Sequence, residues 1–115
     1  MIGLEIEIKG DIRKQLGLYR GKFKAMLQRE LARAAYMVEG ESKKKTPVDT
    51  GRLRSSIRTH IGALEVYVAP NTNYAIYVHE GTQFMNKRPF MKWGAEAALP
   101  KIQRSFNQAI KDILR

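Results

Sequence analysis

Between Lys22 and Lys45 the apolar residues recur at helical spacing, and Pro47 forbids that helix from continuing. Phe23, Leu27, Ala34 and Val38, with Met26, Leu31 and Ala35 beside them, form one stripe, while Lys24, Arg29, Arg33 and Glu39 fall on the opposite side. Gly17 and Gly21 weaken the preceding stretch, so a short turn or loop is expected there and the long helix from about Lys22. Pro47 lacks an amide hydrogen and pushes Thr46 toward extended geometry, which places the helix end before it. Lys43, Lys44 and Lys45 suit the negative pole of that end.

Elsewhere the period changes to two. Leu4, Ile6 and Ile8 alternate with Glu5, Glu7 and Lys9, which predicts a half-buried strand at a sheet edge. Ile57, Thr59 and Ile61 begin a second alternating run, Gly62 and Ala63 reverse the chain, and Leu64, Val66 and Val68 alternate with Glu65 and Tyr67 as the hairpin partner. Ahead of that hairpin, Asp49 or Thr50 is expected to cap a short helical turn carrying Arg52, Leu53 and Arg54. After the turn at Pro70 to Asn73, the stretch from Tyr74 to Glu80 suits a short helix, with Tyr74, Val78 and Tyr77 inward and Gly81 as its stop. Pro89 opens a second long helix with Trp93, Ala97, Ile102, Phe106, Ala109 or Ile110 and Ile113 inward, and Pro100 is expected to kink or split it. The composite is a single α+β domain over residues 1–115: a small antiparallel sheet, made of the N-terminal strand and the hairpin, packed against two long helices and one short one.

The side chains exclude most chemistry. With no cysteine, thiolate nucleophiles, disulfides and Cys-based metal sites are impossible. The apolar runs fall far short of the roughly 20 residues needed to cross a bilayer, and Glu5 and Glu7 stand where a secretion signal would be basic, so no membrane association is expected. His79 and Glu80 are adjacent, and neighbouring side chains diverge, so neither is expected to orient the other; His79 should bond locally and Glu80 face solvent or a neighbouring subunit. His60 has no expected partner, and no HExxH spacing occurs. Thr50, Ser55 and Ser56 lack a nearby base, and Gly51, Gly62 and Gly81 are isolated, so no phosphate cradle exists. The expectation is a non-enzyme without metal, cofactor or small-molecule substrate.

Charge and exposed apolar residues point to partners instead. Lys and Arg number 21 against 11 Asp and Glu, a net charge of +10, and the excess is concentrated early in the chain. Lys14, Arg20, Lys22, Lys24, Arg29 and Arg33 are the candidate contacts to phosphates or an acidic partner, with a plain solvated face as the alternative. No helix-turn-helix pattern is present, so any DNA contact would be non-specific; a basic nucleic-acid-binding module is the rival function. In the loop from Gln83 to Arg88, Phe84 and Met85 have too few neighbours to bury them. Together with Leu4, Ile6 and Ile8 on the edge strand, they form the expected assembly surface, the loop being mobile until a neighbour orders it.

The stretches TPVDTGRLRSSI at 46–57, NTNYAIYVHEGT at 71–82 and RPF at 88–90 occur in this order after a Lys-rich helix end. In that order they resemble the small tail-component family of tailed bacteriophages and prophages, described as tail-completion, minor tail or head-tail joining proteins. By this resemblance Pro47, Asp49, Thr50, Gly51, Leu53, Ser56 and Ile57 correspond to the first motif. Tyr74, Ala75, Tyr77, Val78, Gly81 and Thr82 correspond to the second, and Arg88, Pro89 and Phe90 to the third. The resemblance implies an α+β virion protein at the head-tail junction or tail end, assembling as a homo-oligomeric ring with connector or tail-tube proteins, and residing in the host cytoplasm before assembly. Many relatives carry an acid where His79 stands and an apolar residue at Glu80, so a salt bridge at that position is expected to be lost or moved by one residue.

Overall fold

The computed structural model describes residues 3–7, 21–47 and 51–114. Strand β1 spans Leu4–Glu7, helix α1 Gly21–Lys45, helix α2 Arg52–Ser56, strands β2 and β3 Arg58–Ile61 and Glu65–Ala69, helix α3 Ala75–Glu80 and helix α4 Phe90–Ile113. The sheet has the order β1-β3-β2 and is antiparallel throughout. Glu5 lies opposite Tyr67 and Tyr67 opposite His60, while Ile6, Val66 and Ile61 form the adjacent row. This is the α+β arrangement expected from the alternation of periods. Ile8, Lys14, Arg20, Asp49 and Thr50 lie outside the described residues, as does the turn or loop expected before α1.

Helix α1 is central. It packs on the sheet through β3 and β2 and runs antiparallel beside α4, with Ser42 near Gly94 at one end and Met26 in the cluster that holds Ile113 at the other. Its inward stripe is the expected one: Met26, Leu27, Leu31, Ala34, Ala35 and Val38 are all buried. The helix stops two residues before Pro47, where the Thr46 hydroxyl donates to the Ser42 carbonyl at 2.6 Å. That bond satisfies one of the carbonyls a helix end leaves open. The main core joins Val38, Leu53, Ile57, Val66, Val68 and Phe90 across helices and sheet. A second cluster, Met26, Leu27 and Leu64 with Phe106, Ile110 and Ile113 against them, closes the distal end of the helix pair.

The expectations for Tyr77 and Trp93 need correction, and of the two outcomes expected at Pro100 the split does not occur. Tyr77 is 58% exposed, because in so short a helix the inward side is taken by Ala75 and, in part, Val78. Trp93 is 41% exposed; the face of α4 that meets α1 carries Met91, Gly94 and Ala98. A Cβ on Gly94 would lie 2.5 Å from Ser42 Cα and 2.6 Å from Ser42 N, so the helices approach at a distance only glycine permits. Pro100 does not split α4, which continues through it. Pro100 and Glu96, whose carbonyl loses its i+4 donor, both lie on the exposed side, where water can take the missing place.

Candidate assembly surface

The recurring motifs hold one another. Gly51 occupies the N-cap position of α2 with φ +77°, so the residue adjoining that helix is a left-handed glycine; Asp49 and Thr50, the expected side-chain caps, lie outside the described residues. At the other end the Ser56 hydroxyl donates to the Leu53 carbonyl at 2.7 Å and accepts the Asn71 amide at 3.1 Å, tying the first motif to the turn that opens the second. The Arg52 guanidinium stands 5.8 Å from the centre of the Tyr74 ring, a cation-π contact between the same two segments. Leu53, Ile57 and Ala75 are buried beneath these links, and Phe90 of the third motif is fully buried. The motif residues thus set the directions of α2, α3 and α4.

What they present is the turn after α3. Gly81, at φ +79°, ends the helix, its amide donating to the Tyr77 carbonyl at 2.9 Å. Thr82 and Met85 then exchange backbone hydrogen bonds of 3.0 and 3.3 Å, and the Phe84 amide donates to Thr82 Oγ1 at 3.1 Å. The Arg88 amide returns to the Val78 carbonyl at 2.9 Å. A Cβ on Gly81 would stand 2.7 Å from Lys87 N, so the left-handed backbone and the close return of the chain both require glycine there. The segment expected to be a loop that only a neighbour orders is already a bridged turn within the single chain. At its tip Phe84 is 89% exposed, and Met85 beside it is partly exposed. Ile76 and Tyr77, on the preceding helix, add exposed apolar surface that the sequence reading had not counted.

The other expected contacts divide. Strand β1 is at the sheet edge as anticipated, but Leu4 and Ile6 are half-buried against the core, so the strand offers a partner its backbone edge and the exposed Glu5 more than open apolar area. On α1, Lys24 and Arg29 are exposed, and the Lys22 side chain lies outside the described residues. Arg33 is not a free cation: its guanidinium lies 2.9 Å from Glu30 and donates to Ser105 Oγ at 3.2 Å. Glu30 itself is buried and accepts a 2.7 Å bond from Ser105 across the helix pair. The open groove of about 470 Å³ beside them is lined by Arg29 and Arg33 but also by Glu30 and Asp112, so it presents both signs of charge. Glu30 holds a stripe position, between Met26, Leu27 and Ala34, which is the sequence signal for its burial; its charge argues for solvent instead, and the partner that makes burial tenable, Ser105, comes from the far helix.

His79 bonds locally and Glu80 is exposed, as expected, but the local partner is the adjacent residue itself. The His79 Nδ1 lies 2.7 Å from Glu80 Oε1, an adjacent pairing judged unfavourable from helical directions alone. The imidazole is held edge-on against Phe90, ring centres 5.3 Å apart, so the exposed Glu80 side chain reaches back to it. Its Nε2 is buried and makes no hydrogen bond. Among the described residues no three His, Asp or Glu side chains are grouped as metal ligands, and no helix is long and apolar enough to cross a membrane.

Residues 10–81 match the HK97-gp10-like family, described as a bacteriophage tail component. The match spans all of the first motif and all of the second except Thr82; RPF at 88–90 lies beyond it. No curated protein and no solved structure shows significant similarity to the chain. With more than half of the sequence matched, and with motifs that build a scaffold around an exposed turn, the chain belongs to the HK97-gp10-like family of bacteriophage tail components and has their general structural role.

Proposed function

We propose that this chain is a subunit of a homo-oligomeric ring at the head-tail junction or tail end of a phage or prophage particle, binding neighbouring neck or tail-tube proteins through the turn at Phe84 and Met85. The supporting observation is that Phe84 is 89% exposed at the tip of a turn whose two ends are both hydrogen-bonded to α3. An aromatic side chain held out on a fixed turn keeps its apolar area in contact with water until a partner covers it, at roughly 25 cal/mol per Å² removed. The ordered turn also means that little conformational entropy is lost on docking.

The test replaces Phe84 and Met85 together by Ser. Exposed positions change stability by about 0.5 kcal/mol or less, so the isolated protein should melt as the wild type does. Incorporation into particles, measured by complementing a deletion of the gene, should fall sharply. Normal incorporation would refute the contact, and a large loss of thermal stability would place these side chains in the fold and not in the interface.

A further inference from the structure

We infer that copies of this chain join head to tail by continuing their sheets, the free edge of β2 in one copy pairing in parallel with the free edge of β1 in the next. The inference rests on the ring reading above and names its self-contact. In the order β1-β3-β2 both outer strands keep an unpaired edge among the described residues. Each is antiparallel to β3, so they run in the same direction, and a second copy placed beside the first with its helices on the same side offers β1 parallel to β2.

Side chains favour this match. Glu5 stands in the row of Tyr67 and His60, on the face away from the core, and Arg58 shares that face of β2. All three of Glu5, His60 and Arg58 are exposed. Pairing β2 with β1 of a neighbour brings an acid against a cation, whereas β2 with β2 would oppose Arg58 and His60 to their like. On the core-facing side, Ile61 continues the row of Ile6 and Val66 yet remains 52% exposed, because nothing among the described residues extends the layer past β2. A neighbouring β1 supplies its Leu4 and Ile6 to that row. Thr59, two positions before it, has a buried hydroxyl with no hydrogen-bond partner. A contact between two different surfaces closes into a ring when its rotation allows.

Because the protein has no cysteine, introduced cysteines report this contact cleanly. Within one copy Glu5 and His60 are separated by two strand spacings, about 9–10 Å, beyond the roughly 7 Å limit for a disulfide. In particles carrying Glu5→Cys with His60→Cys, or Glu5→Cys with Arg58→Cys, at least one pair should give an oxidised ladder of oligomers that collapses on reduction, and each single variant should give none. As a second arm, Glu5→Lys should lower incorporation at least tenfold, and adding Arg58→Glu should restore it. Particles that contain the cysteine pairs but yield no ladder would overturn the sheet contact, as would cross-linking of the single variants or failure of the charge exchange to rescue. In those cases wild-type chain still present in particles would leave the ring reading intact; its absence would refute that reading instead.

Discussion

Replacing Gly94 by Ala should destabilise the fold, although the same change in an open helix position stabilises it. The Cβ would meet Ser42 Cα at 2.5 Å and Ser42 N at 2.6 Å, and it would also clash with Ser42 Oγ. Ordinary contact needs more than 3.4 Å, so α1 and α4 must separate by close to 1 Å at this crossing, or α4 must turn about its axis. Overfilling of a packed interior costs about 1–3 kcal/mol, while removal of a helical glycine returns about 1 kcal/mol. A net loss of about 1 kcal/mol, within a range of about 0–2, is therefore expected, with a fall in Tm of about 4–8 °C per kcal/mol for a domain near this size. Gly40, exposed in α1 with open space at its Cβ, is the control: Gly40→Ala should raise stability by about 0.5–1 kcal/mol. Trimming Ser42 should not rescue Gly94→Ala, because two of the three closest atoms belong to the Ser42 backbone. Urea unfolding of the variants decides the matter, and a Gly94→Ala midpoint at or above the wild type would refute the close crossing.

Gly81→Ala should cost about 1–3 kcal/mol, through a positive φ and the approach of Lys87 N, and thermal melting against wild type would show it. Ser105→Ala removes the donor to one oxygen of the buried Glu30 carboxylate and should cost about 1–3 kcal/mol in urea unfolding, where no change would deny that the bond forms. The ammonium groups of Lys101, at 2.6 Å, and Lys44, at 3.2 Å, hold the Glu41 carboxyl below its ordinary value of 4.5. A depressed folded value means that this contribution is complete above pH 4.5 and lost as pH falls through the lower value. The stability difference between wild type and Glu41→Gln should accordingly vanish in acid, and a difference that persists there would contradict the assignment.

Which features were legible in the sequence follows from where their causes lie. The end of α1, the hairpin reversal and the stop at Gly81 depend on Pro47, Gly62 and Gly81 and their nearest neighbours, so local rules located them. The stripe on α1 was legible because its seven apolar positions recur at helical spacing from Phe23 to Val38, with Glu30 set among them. On α4 the apolar pattern was read with Trp93 inward, but the buried face is chosen by how closely two backbones approach at Gly94 and Ser42, and a glycine carries no apolar signal. The same limit hid Glu30, whose burial depends on Ser105 from the far helix. Adjacent residues were expected not to pair, yet His79 and Glu80 do, because packing against Phe90 fixes the imidazole and leaves the Glu80 side chain free to reach it. Exposure of Phe84 was legible from its polar neighbours, whereas the bridge between Thr82 and Met85 that fixes it was not.

The most direct test of the structural role is the position and copy number of the chain in purified particles, read by quantitative mass analysis together with labelling of an epitope-tagged copy in electron micrographs. A structural role at the junction predicts several copies per particle, with label confined to the neck or the tail end. Particles that are complete and infectious without the chain, or label scattered along the tail tube, would contradict it.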